Sequence, residues 1–299
     1  MITRFLVAVP AAVLAAACFG TAGVLQHRAT HQAKERRPLS PALLVDLIRI
    51  PGFLVAIALG ALGFALQVLA LRFGPLILVQ PLLVTGVLFY IVVAAAFGHR
   101  HADRTLVAGV LMALAGLSGF LAVANPTGGH GEFSSAAALP LGLALIGVVV
   151  VCLFAAAAIP NELRVLPLAV ATSVCYGVTA ALVRSLTVGG LGWSALQQWE
   201  TYAIVVIGPA GFLLNQNAFQ KGMVGTLALG IITVGDPLTA IVCGTVWLGE
   251  TIALDPWFVL GELLALGVMA AGVFLLAARA QHLAAVLQGE GDLAGGAAT

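Results

Sequence analysis

From residue 5 to residue 278 the chain is a succession of apolar runs, each about 20 residues long, joined by short polar connections. A helix of that length crosses the hydrocarbon of a bilayer, and only a helix or a closed barrel satisfies every backbone group there. Nine runs fit a span: 5–25, 52–71, 76–97, 105–124, 138–158, 165–187, 202–219, 223–248 and 257–278. Composition agrees. With 61% hydrophobic and 8% charged residues, 299 residues cannot clothe a core against water. The expected fold is an all-α polytopic membrane protein with the lipid bilayer as its principal partner.

The net charge of +1 gives no attraction for nucleic acid or an acidic partner. Cys18, Cys152, Cys175 and Cys243 all fall inside apolar runs and read as small core residues. Ala15-Ala16-Ala17-Cys18 looks like a lipoprotein cleavage box. The segment before it carries only Arg4, however, and the apolar run continues to Leu25, so the first span is read as retained.

Basic residues set the orientation. Arg28, Lys34, Arg36, Arg37, Arg49, Arg100, Arg104, Arg164, Lys221 and Arg279 share one side; Arg4, Arg72 and Arg184 take the other. This puts the N-terminus outside and the C-terminus in the cytoplasm, in the plasma (inner) membrane. The run 42–50 carries Asp46 and Arg49 and is too short to cross; it reads as an amphipathic surface segment, or, if it does cross, as a tenth span.

The chain also repeats itself. At an offset of 148, Gly60, Gly63, Phe64, Leu66, Ala70 and Gly74 fall on Gly208, Gly211, Phe212, Leu214, Ala218 and Gly222. Gln67 falls on Asn215 and Thr85 on Thr233. Cys18-Phe19-Gly20 matches Cys175-Tyr176-Gly177, and Gly109, Ala113 and Leu114 match Gly261, Ala265 and Leu266. Spans one to four thus recur as six to nine. An odd displacement of five spans inverts the second copy, a plan common among secondary transporters. The expected organisation is a single membrane domain over 1–278: a first repeat over 5–124, a connector helix over 138–158 and a second repeat over 165–278. A flexible cytoplasmic tail over 279–299 follows.

At these residues the chain resembles the drug/metabolite transporter superfamily, the EamA-like proteins. The glycine-rich openings ACFGTAGVL and SVCYGVTAAL carry the likeness. So do ALRFGPLILVQPLLVTGVLF, Pro237 in the eighth span and the closing Gly249-Glu250. A four-plus-one-plus-four arrangement is closest to the NIPA-type magnesium transporter branch. The resemblance implies transport by alternating access of a small solute or cation. Two positions depart from the pattern: His99-Arg100 stands where an acidic residue often closes a helix, and Leu88 occupies the offset of Asp236.

Within the spans, Asp236 is the side chain most in need of an explanation, since a carboxylate at mid-membrane costs several kcal/mol. Gly235 and Pro237 flank it, where Pro removes a backbone donor and the helix is expected to kink or break. Thr233 lies one turn earlier. Asp236, Thr233, Asn215, Gln67 and Tyr176 are the expected path for substrate or ion. Thr226-Gly230-Thr233 and Thr172-Tyr176-Thr179 are polar stripes that either line a cavity or pack. Arg184 and Glu262, near the outer ends of the sixth and ninth spans, are expected to snorkel or to pair. His27, His31, His99 and His101 gain no carboxylate or Cys that would complete a metal site.

No phosphate loop with its lysine, Gly-x-Ser-x-Gly or His-Glu-x-x-His is present, so ATP-driven transport and the corresponding enzymes have no support, and no cofactor is implied. Three readings remain: a secondary transporter or facilitator, a NIPA-like magnesium or divalent-cation transporter, and a non-transporting membrane scaffold. A second copy of the chain is the one protein partner considered, as a homodimer.

Overall fold

A computed structural model describes residues 2–32, 46–97, 104–124, 135–159, 162–190, 192–219, 222–250 and 257–275. All regular structure among them is helical. The principal helices are α1 (Ile2–Gln32), α2 (Pro51–Phe73), α3 (Leu76–Leu83), α4 (Gly86–Phe97), α5 (Arg104–Ala124), α6 (Ser135–Ala158), α7 (Val165–Gly189), α8 (Trp199–Phe219) and α9 (Gly222–Leu248). The last, α10, runs over Trp257–Leu275. Two 3-10 turns, Glu162–Arg164 and Trp193–Gln197, stand before α7 and α8. Of the amphipathic run, residues 46–50 are described, and Asp46 to Ile48 are helical. There Leu47 is buried beside Ala29 and Phe53 while Ile48 is exposed. Residues 42–45, His99, His101 and the tail from 279 lie outside the described residues.

Seven helical stretches among the described residues are long and apolar enough to cross a membrane: Leu6–Ala29, Pro51–Phe73, Leu76–Ala94, Leu139–Ala158, Val165–Gly189, Gly230–Leu248 and Trp257–Leu275. The two remaining sequence spans are helices as well. In α5 the described apolar stretch is Leu111–Phe120, and in α8 three successive amides dilute the run. The apolar surface points outward. On α6, Leu139, Leu143, Ile146, Val151 and Phe154 are each 60% exposed or more, a face that water would not tolerate but acyl chains solvate. The chain is an integral membrane protein.

The third span is broken, whereas the eighth is not. Pro81 has no N–H to donate, and the ladder between α3 and α4 tightens into turns, Val84 N–H to the Pro81 carbonyl and Thr85 N–H to the Leu82 carbonyl. Pro237, by contrast, sits inside a continuous α9. Of the expected kink or break, the break does not occur: α9 runs on through Pro237, packed against α7.

Glycines set how closely the helices approach. In the first half α1 packs on α2 and α4; in the second half α7 packs on α8 and α9. A side chain on Gly63 would meet Cys18 and Phe19, and one on Gly211 would meet Cys175 and Tyr176. Gly20 lies against the Gly86 carbonyl, the Phe89 Cβ and the Tyr90 amide; Gly177 lies against the Asp236 carbonyl, the Thr239 Cβ and the Ala240 amide. Between the halves, α5 and α10 touch through Gly116, set on the Ala265 carbonyl and the Met269 amide, and through Gly272, set on the Gly109 carbonyl and the Ala113 amide. These are backbone-to-backbone contacts, which small residues alone permit.

Two substitutions separate packing glycines from idle ones. Gly116→Val should lower stability in detergent by about 1–3 kcal/mol through overpacking. Gly60→Ala, with nothing within 4 Å of the added carbon, should change it by no more than about 1 kcal/mol. Thermal unfolding of the two purified variants checks this, and equal losses would show that the close contact at Gly116 is not what holds α5 to α10.

Candidate functional site

Asp236 stands midway along α9, one turn beyond Ile232 and next to the α7 stretch Ser173–Gly177. Its Oδ1 is buried without a hydrogen-bond partner among the described residues. The Asp236 carboxyl and the Asn215 side chain both lie near the Tyr176 phenol. Three residues expected from sequence to form the path, on α7, α8 and α9, therefore converge. Geometry explains why: Gly177 and Gly211 let α9 and α8 close onto the two sides of Tyr176.

The other expected residues divide. Thr233 is one turn below Asp236 and is itself bonded. Gln67 is buried on α2 but is not among the groups acting on Tyr176. The stripe on α7 turns inward on its own helix, since the Thr172 hydroxyl donates to the Leu168 carbonyl and Thr179 to the Cys175 carbonyl, at 2.8 and 2.7 Å. Such back-bonded hydroxyls have one fewer donor to offer a solute. Of the three amides ending α8, Gln216 donates to Gln26 of α1 at 2.9 Å, and Asn217 donates to the Leu213 carbonyl at 2.8 Å. Gln216 ties two helices together and Asn217 caps its own; Asn215 is left for Tyr176. The side chain of Thr226 lies outside what is described.

Arg184 corrects the sequence reading. Its partner is Glu250, with Nε 3.4 Å from Oε1, and not Glu262. Glu262 is buried on α10. The Arg184–Glu250 pair occupies the corner where α2 ends and α3 begins. Arg184 donates from Nη1 to the Leu71 carbonyl at 2.6 Å, and the Thr187 hydroxyl adds a longer bond to that oxygen at 3.3 Å. On the other side of the corner, Glu250 accepts from the Leu76 and Ile77 N–H groups at 2.8 and 3.0 Å. The next two amides of α3, Leu78 and Val79, turn back to the Pro75 carbonyl. All four first N–H groups of α3 are thus satisfied inside the bundle. The cation meets the carbonyl end of α2 and the anion meets the amide end of α3, each the charge that the helix dipole favours.

Local sequence places Glu250. Gly249 stops α9 in the left-handed region, at φ 62, and the Glu250 N–H returns to the Gly244 carbonyl at 2.9 Å. A side chain at Gly244 would come within 3.1 Å of Glu250 Oε2, so that glycine makes room for the carboxyl. Burial pushes the Glu250 carboxyl above its usual range, and the two N–H groups and Arg184 offset part of that. Sequence reasoning noted Glu250 only within a resemblance. The signal available was its position directly after a helix-stopping glycine, with a lone Arg at the matching end of another span.

Comparison with known proteins gives little to set beside this geometry. An uncharacterized protein of Corynebacterium glutamicum is 23% identical over 252 residues, covering 82% of this chain and 84% of its own. No family model matches the chain, and no solved structure matches it.

A double-mutant cycle on unfolding free energy tests which acid Arg184 answers to. Removing charge at Arg184 and Glu250, singly and together, should give a coupling of roughly 1–3 kcal/mol. The same cycle with Glu262 should give less than about 0.5 kcal/mol. The reverse ranking would restore the pair expected from sequence.

Proposed function

We propose that the chain is a secondary transporter or facilitator of the drug/metabolite type, moving a small solute or cation by alternating access between two inverted four-helix halves. Nine membrane helices, with α3 and α4 counted as one broken span and α6 as the connector, make up this reading. The observation that carries it is Asp236: a mid-helix carboxyl with a buried, unpartnered oxygen, set beside Tyr176 and Asn215 where three helices meet. A structural carboxyl in hydrocarbon is expected to have both oxygens occupied.

The inverted arrangement is supported by contacts that recur in the two halves. Gly63 and Gly211 receive matching residues, Cys18-Phe19 and Cys175-Tyr176. Gly20 and Gly177 each face a carbonyl, the Cβ three residues on and the amide four residues on. That correspondence sets Gly86, not Leu88, opposite Asp236, so the register inferred from sequence shifts by two residues in this span. Gly116 and Gly272 contact the partner helix reciprocally, each on a carbonyl and the amide four residues later. Reciprocity of that kind is what a two-fold axis between α5 and α10 produces. It also shifts the α5–α10 match by one helical turn from the register read in sequence.

Under this reading Asp236 couples the movement of solute to a cation or proton, while Tyr176 and Asn215 orient the site. Among the described residues no three His, Cys, Asp or Glu side chains converge, so the magnesium reading gains no ligand set there.

Reconstituted flux tests the assignment. Asp236→Asn preserves shape and should insert and melt as the parent does, yet lose at least about tenfold in flux, or lose the pH dependence of flux. Asp236→Leu should destabilise as well. Parental flux with an unchanged pH profile in Asp236→Asn would remove the coupling role.

A further inference from the structure

The helix α3 is only eight residues long. At one end its first two backbone N–H groups are held by the side chain of Glu250, just beyond α9, rather than by its own N-cap. At the other end it parts from α4 at the Val84–Thr85 turns, just past Pro81. It is therefore a short rod between a hinge and a clasp. Between them lies Gln80, fully buried, with neither the amide nitrogen nor the amide oxygen bonded in the described structure. A buried amide without partners is costly and rare, and it asks for a state in which those partners exist.

The position of Gln80 relates the clasp to the site. Leu76 lies against Gly244, and Ile77 packs with Ile241 and Phe120. Passing along α3 from Leu76 to Gln80 moves one turn deeper along α9, away from Glu250 and toward the turn that carries Asp236. Glu250 and Asp236 are themselves about 20 Å apart along the helix. By helix rise, Gln80 falls one turn from Leu76 on the way between the two.

We propose that α3 is the gate at this end of the bundle, that the Glu250–Arg184 pair is its latch, and that release of the latch presents the Gln80 amide to a polar solute on its way to Asp236. The closed form is the one described: α3 is capped, Gln80 is occluded, and the α2–α3 corner is sealed by the ion pair. The solute class suited to Gln80 is one with a hydrogen-bonding group of its own, such as an amide, hydroxyl or ammonium. The inference rests on the transporter reading for the existence of a path, but the state of the gate is measured without any solute.

The experiment uses the purified full-length protein in lipid nanodiscs, with a membrane-impermeant methanethiosulfonate reagent. Peptide-resolved mass spectrometry reads modification at position 80 in Gln80→Cys and at a control position in Ala169→Cys, a fully buried site on α7. Position 80 should react slowly with the latch intact and about tenfold faster when Glu250→Gln is added, because an ionised acceptor has been exchanged for a neutral amide. Arg184→Gln should act in the same direction and more weakly, and it serves if the Glu250 variant does not fold. Position 169 should not change. No change at position 80, or an equal rise at both positions, would overturn the gate and leave Glu250 a static cap. A rise at position 80 in a protein without flux would instead sink the transporter reading and spare the gate.

Discussion

Every helix end inside a bilayer leaves N–H or C=O groups that neither water nor lipid can satisfy. Burial imposes the same constraint at the corner between α2 and α3, where two helix ends face each other within the bundle. One ion pair answers both. Arg184 supplies donors to the end of α2 and Glu250 supplies acceptors to the start of α3, so α7 and α9 are tied to the first half of the molecule through its backbone. The glycines serve the same arrangement: Gly249 turns Glu250 back toward α3 and Gly244 leaves space for its carboxyl.

Much of this was legible in the sequence and some was not, for physical reasons. Apolar runs mark where helices lie among the described residues, and seven of these helical stretches are long and apolar enough to cross a membrane. Asp236, Tyr176 and Asn215 are each polar where hydrocarbon is expected, and the fold brings them near one another. The partner of Arg184 was not legible, because a pairing across spans depends on how helices neighbour one another, and two glutamates lay at comparable depth. Pro81 and Gly86 flank the break at Val84-Thr85 and are its signal in the sequence, but whether a helix continues through a proline depends on its packing, which sequence does not state. The threonine stripes misled because a hydroxyl on a helix can satisfy itself one turn back.

On the inverted-repeat reading, the two halves share packing and divide chemistry. Where the second half has Tyr176, Asn215 and Asp236, the first has Phe19, Gln67 and Gly86. Glycine contacts are common to both because they fix how near the backbones come. Charge lies in one half alone, which suits a site that must release what it binds, since a second carboxylate would hold a cation more tightly. The broken span lies in the other half, while its latch, Arg184 and Glu250, comes from the same half as Asp236. Gating would then join the two copies of one ancestral unit.

Alternation of the two ends is the central claim, and pulsed-EPR distances test it most directly. One spin-label pair at Arg72 and Val188 spans the Glu250 end; another at Ile48 and Leu163 spans the opposite end, all four positions being exposed. On the reading that Asp236 couples transport to protons, acidification should lengthen one distance and shorten the other in the parent protein and leave both unmoved in Asp236→Asn. Distances that stay fixed in the parent, or that lengthen together, would contradict alternating access and favour a membrane scaffold.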